Sequence, residues 1–149
     1  MTDDFTGTAD LGSAVAATWA VISDPGAIGR ILPNAESVAP DGAGGLNIVV
    51  AVKQFLMTVR VDLHATWLDV EPPNHLRLQL DGRPRGLGGA LHLSVPVDLE
   101  EISSGTRVSY RGALELEGSV VSFRRQLEEV LREQVASLVR AVEREASRG

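Results

Sequence analysis

From Ala35 to Leu116 the chain is a run of one-sided strands, and no other feature narrows its possible folds as much. Between Leu46 and Val52 the even positions are apolar. In the run from Phe55 to Val70, Met57, Val59, Val61, Leu63, Ala65 and Trp67 share one face, with Thr58, Arg60, Asp62 and His64 on the other. Leu76, Leu78 and Leu80 alternate with Arg77, Gln79 and Asp81; Leu91, Leu93, Val95, Val97 and Leu99 alternate with His92, Ser94 and Asp98. The last strand sets Val108, Tyr110, Gly112, Leu114 and Leu116 against Arg107, Ser109, Arg111 and Glu115. Successive strand side chains point to opposite faces, so this period of two predicts an antiparallel sheet covered on one side. Turn signals at Pro40-Asp41-Gly42, Pro72-Pro73-Asn74 and Ser103-Ser104-Gly105 place the hairpins.

After Gly118 the period turns helical. Val120, Phe123, Leu127, Val130, Leu131, Leu138 and Val142 form one stripe, with Arg124, Arg125, Glu128, Glu129, Arg132 and Glu133 outside it. Ser119 is the predicted cap. Roughly 25 helical residues span about 40 Å, enough to cross a whole curved sheet. At the other end, Phe5 to Leu11 reads as a strand. Ser13 is positioned to cap a helix with Val15, Thr18, Trp19 and Ile22 on one face, stopped at Asp24-Pro25. A second helical turn runs from Gly26 to Leu32 and ends at Pro33. The predicted class is α+β: a curved antiparallel sheet of about seven strands wrapped around a long C-terminal helix, with two short helices after the first strand. A chain of 149 residues has room for one such domain, 1–149, and for no second large one.

Charge and composition remove several function classes. The formal net charge of -6 opposes the counterion release that nucleic-acid binding relies on, so no nucleic-acid partner is expected. With no cysteine there are no disulfides, thiolate metal sites or cysteine nucleophiles. The longest uncharged apolar stretch, Leu11 to Ser23, falls short of the roughly 20 residues of a membrane span. Met1-Thr2-Asp3-Asp4 is acidic where a secretory signal starts basic. A cytoplasmic location is expected, with any membrane contact peripheral, at the inner face.

The predicted interior holds no carboxylate, histidine, lysine or arginine. Parity turns inward Met57, Val59, Val61, Leu63, Trp67, Leu76, Leu78, Leu80, Leu91, Leu93, Val95, Tyr110 and Leu114, facing Phe123, Leu127, Val130 and Leu131 on the helix. These residues, without Leu76, Val95 and Leu114, are the candidate lining of a site for a hydrophobic small molecule. General acid–base catalysis needs a titratable group within reach of the substrate, so no catalytic residue is assigned. The inward polar atoms are the Trp67 indole N–H and the Tyr110 hydroxyl, with Gln134 as a third that could orient a ligand. His64, His75 and His92 fall on outward faces, so no metal site is assigned. Asp81-Gly82-Arg83-Pro84-Arg85-Gly86-Leu87-Gly88-Gly89 lacks the lysine and Ser/Thr of a phosphate loop. It reads instead as a hairpin loop at the cavity mouth, with Arg83 and Arg85 available to an anionic headgroup or a protein partner.

Phe5-Thr6-Gly7-Thr8-Ala9-Asp10-Leu11, Trp19 through Ser23-Asp24-Pro25, and Ile31-Leu32-Pro33-Asn34-Ala35-Glu36-Ser37-Val38 resemble the start of proteins of the carbon monoxide dehydrogenase G-subunit type. These are a branch of the SRPBCC (START/birch-pollen-allergen) superfamily. The Gly82 to Gly89 stretch and Gly105 to Tyr110 are also similar to that family. The resemblance implies a helix-grip fold, a deep hydrophobic cavity and no catalytic residue. It further implies association with a molybdenum-containing carbon monoxide dehydrogenase and help in recruiting it to the membrane. Members of the branch often carry an extension past the last helix that serves membrane association. This sequence stops at Glu145-Ala146-Ser147-Arg148-Gly149; if the natural protein carries no such extension beyond it, autonomous anchoring is not expected. The expected function is a noncatalytic accessory that needs no cofactor and holds a lipid or isoprenoid quinone as ligand. The alternatives are a docking adaptor with a filled core and a polyketide cyclase/dehydratase-like enzyme in which Tyr110 hydrogen-bonds an enolate.

Overall fold

Six antiparallel pairings join the strands into one sheet. The computed structural model describes residues 3–54 and 57–148; Phe55, where the sequence starts its longest strand, lies outside them. The elements are β1 (Asp3–Leu11), α1 (Val15–Ile22), α2 (Pro25–Ile31), β2 (Ala35–Pro40), β3 (Leu46–Gln54), β4 (Met57–Glu71), β5 (His75–Pro84), β6 (Ala90–Ile102) and β7 (Gly105–Glu117). A 3₁₀ segment, Gly118–Phe123, then leads into α3 (Arg124–Arg148). The spatial order is β1-β7-β6-β5-β4-β3-β2, so the chain closes by laying its first strand beside its last. This is the helix-grip arrangement, with the concave face turned to α3.

Two predicted caps are replaced by tertiary bonds. Ser13 does not cap α1. Its hydroxyl pairs with the Thr18 hydroxyl at 2.8 Å, and its carbonyl accepts the Thr106 hydroxyl at 2.8 Å. This buried node ties the β1–α1 turn to the start of β7, and it satisfies groups that would otherwise be costly to bury. Ser119 does not cap the long helix either. Its hydroxyl donates to the Gly88 carbonyl at 2.7 Å, and the same carbonyl accepts the Val120 N–H at 3.1 Å. The loop after β5 is therefore bound to the 3₁₀ segment. Gly89 (φ 103) and Gly118 (φ 75) permit the approach, since a Cβ at Gly118 would collide with the Gly89 backbone. Asp24 behaves as a cap should: its Oδ1 accepts the Gly26 N–H at 2.9 Å at the head of α2.

The fully buried residues of α3 lie at one end only. They are Ala141, Val142 and Ala146, all in its final turns, where Val142 and Ala146 pack with Leu11, Val21, Ile28, Leu99 and Val108. Its leading half stands off the sheet, leaving Leu127, Val130 and Leu131 half-buried. The sheet side is tightly packed, with Leu93 and Leu114 in register on β6 and β7 at 2% and 0% exposure. The space of interest lies between this rigid sheet and the standing helix.

Candidate functional site

Helix and sheet enclose three adjoining apolar chambers of about 170, 150 and 120 Å³. Each is near the size at which an apolar cavity stays dry and accepts a small hydrocarbon. The central chamber takes Val61, Leu63, Trp67, Leu78, Leu80, Leu91 and Leu93 from the sheet and Leu127, Val130 and Leu131 from α3. The mouth chamber takes Met57, Val59 and Phe123 and shares Val61, Leu127 and Val130 with the centre. The far chamber, under the anchored end of α3, takes Tyr110 and shares Leu78, Leu80 and Leu93. Every residue the sequence assigns to the lining is thus in a chamber wall. Phe123 reaches it from the 3₁₀ segment and not from the α-helix.

The sequence reading left out Ile48, Val50 and Val52 of β3, Ile28 and Leu32 around α2, and Leu87 of the loop. The even-position alternation of β3 was the available signal for the first group. Ile28 and Leu32 are four apart and so share a helical face. No carboxylate, imidazole, lysine or arginine lines any of the chambers among the described residues.

The inward polar groups turn out to be structural. The Trp67 indole N–H donates to the Ile22 carbonyl at 2.9 Å, tying β4 to the end of α1. The Gln134 amide accepts from Asn34 Nδ2 at 2.8 Å and donates to the Pro33 carbonyl at 3.1 Å, so it struts α3 against the α2–β2 link. Neither is left over to orient a ligand, which corrects that part of the expectation. The Tyr110 ring lies over Gly7, its register partner on β1, where any Cβ would fall inside the phenol.

The expected arginine mouth is also corrected. Arg83 follows Asp81 on the outer face of β5 and lines a polar cleft there with Asp62, His64 and His92. Arg85 is held by Asp62 in a two-pronged pair at 2.8 and 2.9 Å. The residues that rim the mouth are apolar: Pro84, Leu87, Met57 (64% exposed) and Phe123 (38% exposed).

The outer cleft is larger, at about 540 Å³, but it is open and most of its charges neutralise one another. The three histidines do not converge: His64 pairs with Asp41, His75 with Asp98 and His92 with Asp81, each at 2.7 Å. No group of three or more potential metal ligands occurs among the described residues. The hydrogen bond to Asp81 raises the His92 pKa above its usual value, and the same bond lowers that of Asp81.

Signs follow from linkage. The raised imidazole contributes stability that is full below about 6.5 and lost as pH rises through the higher folded value; the lowered carboxylate contributes above about 4 and is lost on acidification. The pair therefore supports the fold in the window between. Solvent screening holds its worth under about 1 kcal/mol. His92→Gln should lower Tm by about 2–4 °C near pH 6 and by much less near pH 9. Thermal melts across pH check this, and an equal loss at both pH values would remove the charge from the explanation.

Among the described residues no helix is long and apolar enough to cross a membrane. Residues 2–143 match the family model described as polyketide cyclase/dehydrase and lipid transport. No curated protein sequence matches the chain. Among solved structures, a conserved protein from Geobacillus kaustophilus superposes with a TM-score of 0.85 at 20% identity, covering 98% of this chain and 96% of that one. The Zhui aromatase/cyclase of Streptomyces sp. R1128 gives 0.71 at 15% identity, covering 99% and 95%. A protein from Rhizobium leguminosarum gives 0.71 at 13% identity, covering 100% and 97%. At these identities the likeness is one of fold.

Proposed function

The chain belongs to the polyketide cyclase/dehydrase and lipid transport family, and we infer that within it this protein is a noncatalytic binder of an elongated apolar ligand. The observation that carries the reading is the lining: contiguous apolar chambers with no carboxylate, imidazole, lysine or arginine among the described residues to move a proton. Burying about ten methylenes at about 0.8 kcal/mol each supplies roughly 8 kcal/mol before association entropy, enough for micromolar retention. The apolar rim at Met57, Leu87 and Phe123 suits a tail that must pass in without crossing a ring of charge.

The Leu32 to Val38 pattern extends the proposal. The ligand is an isoprenoid quinone or a lipid tail, and the protein serves as an accessory to a molybdenum-containing carbon monoxide dehydrogenase-type complex in peripheral contact with the membrane. Native mass spectrometry of protein from its own host, with organic extraction, tests the ligand. A stoichiometric lipid or quinone is expected. Protein that is empty and also takes up no added quinone or fatty chain would overturn the reading. A second reading, cyclase chemistry, draws on the family description and on Tyr110 in the far chamber. Turnover of a poly-keto substrate that Tyr110→Phe abolishes would put it first.

A further inference from the structure

The edge of the sheet leaves a second opening. β2 stops pairing with β3 at Ala35, opposite Val50, and the last bond across this edge runs from the Ala51 N–H to the Asn34 carbonyl at 3.0 Å. Asn34 then takes a left-handed backbone (φ 63), and its amide turns to the Gln134 side chain on α3. Among the described residues, the last residues of β3, Val52 to Gln54, consequently have no strand on their outer side. Between this edge and α3 lies a polar vestibule of about 480 Å³. Val52 and Val130 line the vestibule, the central chamber and the mouth chamber alike, so the vestibule adjoins the apolar interior.

Its charges are distributed unlike those of the outer face, where carboxylates and cations neutralise each other. Glu36 is taken up by Arg60 at 2.7 and 3.2 Å. Lys53, the chain's single lysine, stands on the strand side, and Glu133 stands on the helix side. Both are exposed, and neither has an ion-pair partner among the described residues.

We propose that this vestibule holds the polar head of a single-chain amphiphile whose head is zwitterionic, its anionic group on Lys53 and its cationic group at Glu133, with the tail in the apolar chambers through the Val52–Val130 gap. The assignment rests on the apolar-ligand reading above and adds the head group to it. A head with both signs meets each unpaired charge with its opposite. A purely anionic head gains at Lys53 but faces Glu133, and a purely cationic head faces the reverse. Chambers of about 150 and 170 Å³ suit a single tail.

Displacement of a fluorescent apolar dye by monomeric dodecylphosphocholine, dodecanoate, dodecyltrimethylammonium and dodecanol compares heads on one tail. Dodecylphosphocholine should bind about three- to tenfold more tightly than the others, the scale of a partly exposed charge pair. Lys53→Glu should erase that advantage and improve dodecyltrimethylammonium by a similar factor, and Glu133→Gln should reduce the advantage alone. Both sites are at the surface, so the variants fold. Equal affinities for all four probes, unchanged in the variants, would overturn the head-group assignment while leaving tail binding intact. Failure of every probe and of the dye would overturn the apolar-ligand reading, and this assignment with it.

Discussion

Val130→Trp weakens binding of long-chain apolar ligands about a hundredfold and leaves the protein folded. Val130 is half-buried on the part of α3 that stands off the sheet, and its side chain borders both the mouth and the central chamber. An indole there fills both the junction and the Val52–Val130 gap, so a tail entering past Met57 and Phe123 or from the vestibule is kept out of the central chamber. Excluding about four methylenes at about 0.8 kcal/mol each forfeits roughly 3 kcal/mol, two orders of magnitude in Kd. The fold tolerates the change because α3 is anchored elsewhere, through Ala141, Val142 and Ala146. Fluorescent-probe titration with tails of increasing length gives the measurement. Wild-type and variant should agree for the shortest probe and diverge as the tail lengthens. Parallel curves at every length would mean that the ligand does not run through this junction.

Leu114→Ala costs about 3–4 kcal/mol, lowering Tm by about 10 °C, and an apolar ligand restores part of the loss. Leu114 is fully buried on β7, in register with Leu93, and forms part of the central chamber wall. Truncation removes the transfer energy of the lost atoms and opens a void that a paired strand cannot relax to fill. With total stability of about 5–15 kcal/mol the variant still folds. The new void joins a chamber that already accepts apolar matter, so bound ligand stabilises by mass action, and at about a hundredfold over Kd returns roughly 2.7 kcal/mol. Denaturant melts with and without a saturating fatty chain read both effects. A variant whose melt does not move with ligand would show that Leu114 is walled off from the binding space.

Faces of strands were legible because their signal is local. Alternation at Leu76, Leu78 and Leu80 or at Met57, Val59 and Val61 needs no knowledge of the partner strand, only that one side is buried. The same rule, carried two residues further along β5, places Arg83 outside with Asp81, where the structure has it. The Arg85–Asp62 pair was not readable, since it depends on which strands are neighbours and on their register. Ser13 and Ser119 failed as caps for a related reason. A serine hydroxyl satisfies whichever group folding brings nearest, and here those groups were Thr18 in one case and the Gly88 carbonyl in the other. Trp67 and Gln134 were rightly turned inward, but their polar atoms were claimed by the carbonyls of Ile22 and Pro33, distant in sequence.

Periodicity alone carried the architecture: which side chains face in, that the interior is apolar, and that a long helix covers a one-sided sheet. Those properties follow from burial averaged along a segment, and each segment reports it independently. The site itself needed the tertiary structure. Volume between α3 and the sheet depends on how the helix is held, by Val142 and Ala146 in the core at one end and by Gln134 against the α2–β2 link further up. The gap beside β3 likewise comes from a mismatch of strand lengths and the turned backbone at Asn34. Cavities are differences between surfaces that meet from far apart in the chain, so they are set by the relative placement of elements and not by the pattern within any one of them.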